Sequence, residues 1–250
     1  MLQALARAAP ALRRAPARAL ATAPPAVAAA IRAAQAVAFD VDSTVITTEG
    51  IDELATYLGK GAAVAALTRA AMGGAVPFRD ALAARLALLA PSRGAVDAFV
   101  AAHAPALTPG LAALVAALQA RGTAVYLVSG GFTQMILPVA DALRVPRARV
   151  HANTLLFDAA TGAFAGFDEA ALTSRDGGKA TVLRALKAAH GYAPLIMVGD
   201  GATDLQARPP ADAFVGYGGV VEREVVRKGA DWFVKDWAEF TALVEEGARA

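Results

Sequence analysis

Short apolar runs alternate with longer amphipathic stretches from about residue 36 onward, and the two periods separate cleanly. Residues 36–39, 124–128, 195–198, 213–215 and 232–234 read as buried strands. Residues 109–119 and 179–190 have the length and period of helices that cross over a parallel sheet. The alternation predicts an α/β fold with a doubly wound, mostly parallel, Rossmann-like sheet, which binds ligands at the carboxyl ends of its strands.

Between residue 49 and about residue 105 the alternation stops and helix follows helix, over 51–58, 62–72, 78–89 and 92–103. The pattern predicts a small helical-bundle cap inserted after the first strand and lying above the strand tips. The chain then divides into a leader (1–34), a catalytic core (35–48 and 106–250) and the cap (49–105). In 78–89 the apolar stripe Phe78, Leu82, Leu86 and Leu89 is interrupted by Arg85, two helical turns beyond Phe78. A guanidinium placed there either snorkels to the rim beside an acid, or faces a closed cavity and clamps a carboxylate through two parallel hydrogen bonds.

The first strand ends in Phe39-Asp40-Val41-Asp42-Ser43-Thr44, two carboxylates followed by two hydroxyls. An unpaired carboxylate at a buried strand tip costs several kcal/mol, so a cation belongs beside it. A hard divalent ion such as Mg²⁺ takes one or two carboxylates and leaves the rest of its shell to water and phosphate. A second strand delivers acids in the same way, through Val198-Gly199-Asp200-Gly201-Ala202-Thr203-Asp204. Val128-Ser129-Gly130-Gly131 adds a hydroxyl and two amides that can approach an anion. Gly177-Gly178-Lys179 puts a cation in the first turn of a helix, which is unfavourable unless an anion lies nearby. Carboxylates, a metal, a lysine and free amides together equip a site for phosphoryl transfer through an aspartyl phosphate. Nucleotide motifs are absent: Thr173 stands where a Walker A loop needs glycine, and Val221 where a dinucleotide fingerprint does.

Composition narrows the classes further. Hydrophobic residues make up 56% of the 250, but no stretch reaches the roughly 20 uninterrupted apolar residues of a spanning helix, so no membrane partner is expected. Cysteine is absent, which excludes thiolate nucleophiles and zinc-thiolate sites. His103, His151 and His190 are scattered singly and read as solvent-facing or satisfied residues. Residues 1–39 hold five arginines and no acid, so a whole-chain charge of +2 leaves the remainder at −3. Basicity belongs to the leader, and nucleic acid is not an expected partner. An alanine- and arginine-rich, acid-free leader predicts import into a plastid or mitochondrion, the alternative being a plain extension on a cytoplasmic protein.

Taken in order, Asp40-Val41-Asp42-Ser43-Thr44, Ser129-Gly130-Gly131, Lys179 and Gly199-Asp200-Gly201-Ala202-Thr203-Asp204 resemble the four motifs of the haloacid dehalogenase superfamily. Residues 39–54, 71–88, 129–132 and 196–204 narrow the resemblance to the branch that hydrolyses O-phospho-L-serine. The resemblance implies that Asp40 is the nucleophile and Asp42 the general acid and base. It implies Mg²⁺ on Asp40, the backbone carbonyl of Asp42 and Asp200, with Thr44 and Asp204 in support. Ser129, Gly130, Gly131, Lys179 and Gly73 would hold the phosphoryl group, and Thr203 would touch the substrate. Glu49 would take the ammonium and Arg85 the carboxylate, against a wall of Met72 and Phe78. Asp176, Thr133 and Val220 depart from the family pattern. Other small esters, such as phosphohomoserine or phosphoethanolamine, and a phosphoaspartate receiver module are the alternatives. The pattern leaves room for a homodimer.

Overall fold

The structure, a computed structural model, describes residues 23–71 and 77–247. In chain order its elements are α1 (Pro25–Arg32), β1 (Ala36–Phe39), α2 (Gly50–Tyr57), α3 (Gly61–Ala71), α4 (Phe78–Leu89), α5 (Arg93–Ala102), α6 (Leu111–Ala120) and β2 (Ala124–Phe132). There follow α7 (Thr133–Ala142), β3 (Val150–Asn153), β4 (Leu155–Phe157), β5 (Phe164–Phe167), α8 (Gly178–His190), β6 (Leu195–Gly199) and α9 (Ala202–Leu205). The chain closes with β7 (Ala213–Tyr217), α10 (Glu224–Gly229), β8 (Trp232–Val234) and α11 (Trp237–Gly247).

Six strands form one parallel sheet in the order β3-β2-β1-β6-β7-β8. The chain moves outward from β1 to β2 and β3, then returns to β6 on the other side of β1. A crevice opens where the order reverses, beyond the carboxyl ends of β1 and β6. Asp40 and Asp200 directly follow those two strands.

Burial on both faces explains the continuous apolar runs. Val37, Phe39, Val125, Leu127, Ile196 and Val198 pack against α1, α6, α7 and α11, while Ala36, Ala38, Tyr126, Met197 and Phe214 face α8 and α10. Residues 25–34, which composition alone assigns to the leader, include α1, whose Val27, Ala28 and Ile31 are buried in the first of these layers. Residues 1–22 lie outside the described residues.

Helices α2, α3, α4 and α5 separate β1 from α6, and α4 has the bounds that its periodicity predicts. Leu54, Leu82, Leu86, Val96 and Phe99 from these helices share an apolar cluster with Phe132, Leu155 and Phe167 of the body. The cap is thereby seated on the sheet. Two features differ from expectation. Strand β2 continues through Ser129-Gly130-Gly131 to Phe132 across a break in register, rather than ending at Val128. An antiparallel hairpin, β4 with β5, lies outside the periodic pattern because each strand is short and partly exposed. Its turn carries a readable signal: Asp158 accepts from the amides of Ala160 (3.1 Å) and Thr161 (2.7 Å), an Asx turn. Among the described residues no helix is long and apolar enough to cross a membrane.

Candidate active site

Lys179 is buried at the start of α8, and its Nζ lies 2.7 Å from Asp40 Oδ1 and 2.6 Å from Asp204 Oδ1. Burial opposes its charge, but the two carboxylates hold the ammonium protonated and raise its pKa. The Val41 amide donates to the same Asp40 oxygen at 2.7 Å. Asp204 spends its other oxygen on the amide of Gly201, at 2.9 Å. Each Asp204 oxygen thus carries one hydrogen bond, and carboxylate oxygens of Asp40, Asp200 and Asp204 all lie within 4.8 Å of one another.

Asp200 is buried and accepts from Thr44 Oγ1 (3.0 Å) on one oxygen and from Arg223 Nε (2.9 Å) on the other. Burial first, and then the charge of Asp40, raise its pKa. Two close carboxylates at strand ends, oxygen donors only, suit a hard divalent cation. The carbonyl of Asp42 accepts no hydrogen bond among the described residues, which fits a third oxygen ligand. Thr44 is held in turn: its carbonyl accepts from Thr108 Oγ1 (2.9 Å), which accepts from Trp237 Nε1 (2.8 Å).

Asp42 sits between body and cap, with Oδ1 taking the Gly50 amide at 2.9 Å. Burial, followed by the charges of Asp40 and Glu49, pushes its pKa up to about 7. A carboxyl that holds its proton near neutrality is equipped for general acid and base work. Glu49 accepts from Ser43 Oγ at 2.8 Å, and its pKa is raised chiefly by burial.

A cavity of about 220 Å³ joins these groups to the cap, with Phe78, Leu82 and Arg85 along one wall and Gly130, Lys179 and Thr203 along another. Arg85 is half buried and its pKa is lowered by that burial, with Asp52 and Glu49 opposing. Its Nε donates to the Ala81 carbonyl, one turn back on the same helix, at 3.1 Å. Ser129 is buried, and its Oγ accepts from the Gly131 amide at 2.9 Å. Asp40, Asp42, Glu49, Phe78, Arg85, Gly130, Gly131, Lys179, Asp200 and Thr203 thus border one space, with Thr44, Ser129 and Asp204 directly behind it. Met72 and Gly73 lie outside the described residues.

Sequence reading missed Arg223, which lines the cavity and bridges Asp200 to Glu49 (3.6 Å). It follows β7, the neighbour of β6, and loops at that sheet edge face the crevice. That placement was the available signal. Arg175 and Asp176 at the cavity mouth were also unassigned.

The family model of the haloacid dehalogenase-like hydrolases matches residues 37–207, and the chain belongs to that family. Among its relatives, a phosphoserine phosphatase of Mus musculus is 52% identical over 213 residues, which is 85% of this chain and 94% of the relative. A chloroplastic phosphoserine phosphatase of Arabidopsis thaliana is 52% identical over 205 residues, 81% of this chain and 69% of the relative. Of solved structures, a phospho-aspartyl intermediate analogue of phosphoserine phosphatase aligns at a TM-score of 0.67 and 25% identity, covering 81% of this chain and 94% of that one.

Proposed function

We propose that this protein is a Mg²⁺-dependent phosphatase that hydrolyses O-phospho-L-serine to L-serine and phosphate, the last step of serine formation from a phosphorylated precursor. The observation that carries the reading is a single cavity with Glu49 and Arg85 on its walls beside the Lys179–Asp40 pair. An α-amino acid presents one cation and one anion close together, and a selective site needs an acid and a base to match. Each desolvated charge-assisted bond is worth roughly 1.5 to 3 kcal/mol, or at least tenfold discrimination.

In this reading the Asp40 carboxylate attacks phosphorus and the bond to the serine oxygen breaks. Asp42 gives its proton to the departing oxygen. It then takes a proton from the water that attacks the aspartyl phosphate, releasing inorganic phosphate and restoring Asp40. Lys179, held by Asp204, together with the Ser129 hydroxyl and the Gly130 amide cradles the phosphoryl oxygens, with Gly131 holding Ser129 Oγ and Thr203 at the edge. A Mg²⁺ bound by Asp40, Asp200 and the Asp42 carbonyl supplies charge neutralisation and in-line geometry. Phe78 and the cap exclude water, and the cap argues against a receiver module, whose phosphodonor is another protein. Phosphoethanolamine offers nothing for Arg85 to hold, and phosphocholine likewise. The domain division follows the same reading, with a leader, a core of 35–48 and 106–250 and a cap of 49–105, and the burial of Val27, Ala28 and Ile31 supports counting residues 25–34 with the core rather than the leader. Composition of that leader and the chloroplastic relative support import into a plastid.

The test is a panel of small phosphomonoesters assayed with and without Mg²⁺, with Asp40→Asn as the covalent control. Phosphoserine should be preferred at least tenfold, and Asp40→Asn should abolish both turnover and burst labelling. A flat panel would reject the substrate, and an active Asp40→Asn would reject the mechanism.

A further inference from the structure

Strand β2 pairs with β3 at Val128 opposite His151 and again at Phe132 opposite Asn153, so four residues of β2 span what two cover on β3. Ser129, Gly130 and Gly131 stand opposite Ala152 alone, so the turn bulges out of the ladder and its Gly130 carbonyl needs a partner from outside the strand pairing. Asn153 supplies one. Its side chain is wholly buried, and Nδ2 donates to that carbonyl at 2.8 Å. A carbonyl only accepts, which settles the orientation of the amide: Oδ1 faces Thr173, whose hydroxyl donates to it at 2.8 Å. Thr173 is itself buried in the 3₁₀ turn Leu172–Ser174. Gly178, the residue before Lys179, packs so closely on this turn that a β-carbon would collide with the Leu172 carbonyl.

We propose that Asn153 is a positioning residue that sets the donors of the phosphoryl-binding Ser129 turn and locks that turn to the Lys179 loop; this deepens the phosphatase reading above and rests on it. The peptide plane makes the argument concrete. Holding the Gly130 carbonyl toward Asn153 turns the Gly131 N–H the opposite way, where it donates to Ser129 Oγ. An oxygen already accepting that N–H keeps its own proton for another acceptor, the phosphoryl group. Asn153 therefore decides which way the turn presents its donors. Through Thr173 it also fixes the distance from those donors to the ammonium of Lys179. Asn153→Asp would set a carboxylate oxygen against the Gly130 carbonyl, and the peptide would rotate away.

The experiment uses the full chain and two probes that need no knowledge of the natural substrate. Inorganic phosphate is titrated as an inhibitor of p-nitrophenyl phosphate hydrolysis, and the Mg²⁺ concentration for half-activation is measured beside it. Asn153→Asp should weaken phosphate inhibition by roughly tenfold, the scale of one buried hydrogen bond to an anion cradle, and lower kcat. Mg²⁺ half-activation should stay within about twofold, since Asp40 and Asp200 are untouched. Unchanged phosphate inhibition, or an equal loss of Mg²⁺ response, overturns the assignment. If Asn153→Asp does not fold, Thr173 decides: Thr173→Val should weaken phosphate and Thr173→Ser should not, and equal behaviour of the two overturns it. Failure of the substrate reading would appear separately, as a wild type with no preference for phosphoserine but an intact response to phosphate.

Discussion

The ring of Phe78 on the cap lies so close over Gly130 that a β-carbon there would sit 3.0 Å from the ring's ζ carbon. The cap rests on the turn proposed to hold the phosphoryl group, and glycine is what lets it do so. The seating of the cap and the proposed phosphoryl cradle therefore share one contact.

Gly130→Ala should push Phe78 outward and raise KM by roughly tenfold, about 1.4 kcal/mol of overpacking. Trimming the ring in the double variant Gly130→Ala with Phe78→Leu should recover part of that loss. Steady-state kinetics of the two single variants and the pair decide it. No recovery would mean that the methyl group acts on the turn alone.

Asp42 owes its raised pKa, about 7, to burial first and to Asp40 second. Removing the Asp40 charge favours the ionised form of its neighbour, so Asp40→Asn should move the Asp42 titration downward in the metal-free protein. Carboxyl-carbon NMR reads this directly. In turnover, leaving-group release needs the protonated form and should fall as pH rises through the Asp42 pKa, while hydrolysis of the intermediate needs the ionised form and should rise. Asp42→Asn should slow the reaction by roughly 10² to 10⁴ and erase the inflection.

Arg85→Ala should cost phosphoserine roughly tenfold to a hundredfold in kcat/KM, the loss of a desolvated charge-assisted bond. Phosphoethanolamine, lacking the carboxylate, should change little. Equal losses on the two esters would place Arg85 in the packing of the cap rather than against the substrate.

A chelator should abolish turnover, and Mg²⁺ should restore it. The raised pKa of Asp200 means that its ionised form weighs against folding once pH exceeds the unfolded value of about 3.9. A cation that relieves this should raise Tm at neutral pH. Calorimetry should find that increment in the wild type and not in Asp200→Asn.

How far the sequence reaches depends on what sets each feature. Strands β1 and β6 were readable because burial on both faces demands an unbroken apolar run, and acids at their tips stand out against it. Arg85 was readable because it breaks a helical stripe. Asn153 and Arg223 were not, since each owes its role to a neighbour across the sheet, Gly130 in one case and Asp200 in the other. The hairpin β4–β5 buries little and so leaves no periodic signal, although Asp158 marks its turn.

Trp237 begins the last helix, and its indole steadies Thr108, which steadies Thr44, which steadies Asp200. A remote segment thus has a say at Asp200. Clipping the chain ahead of Trp237 would strip away this scaffolding as well as the apolar layer under β1, so catalytic competence and an intact final helix should disappear together.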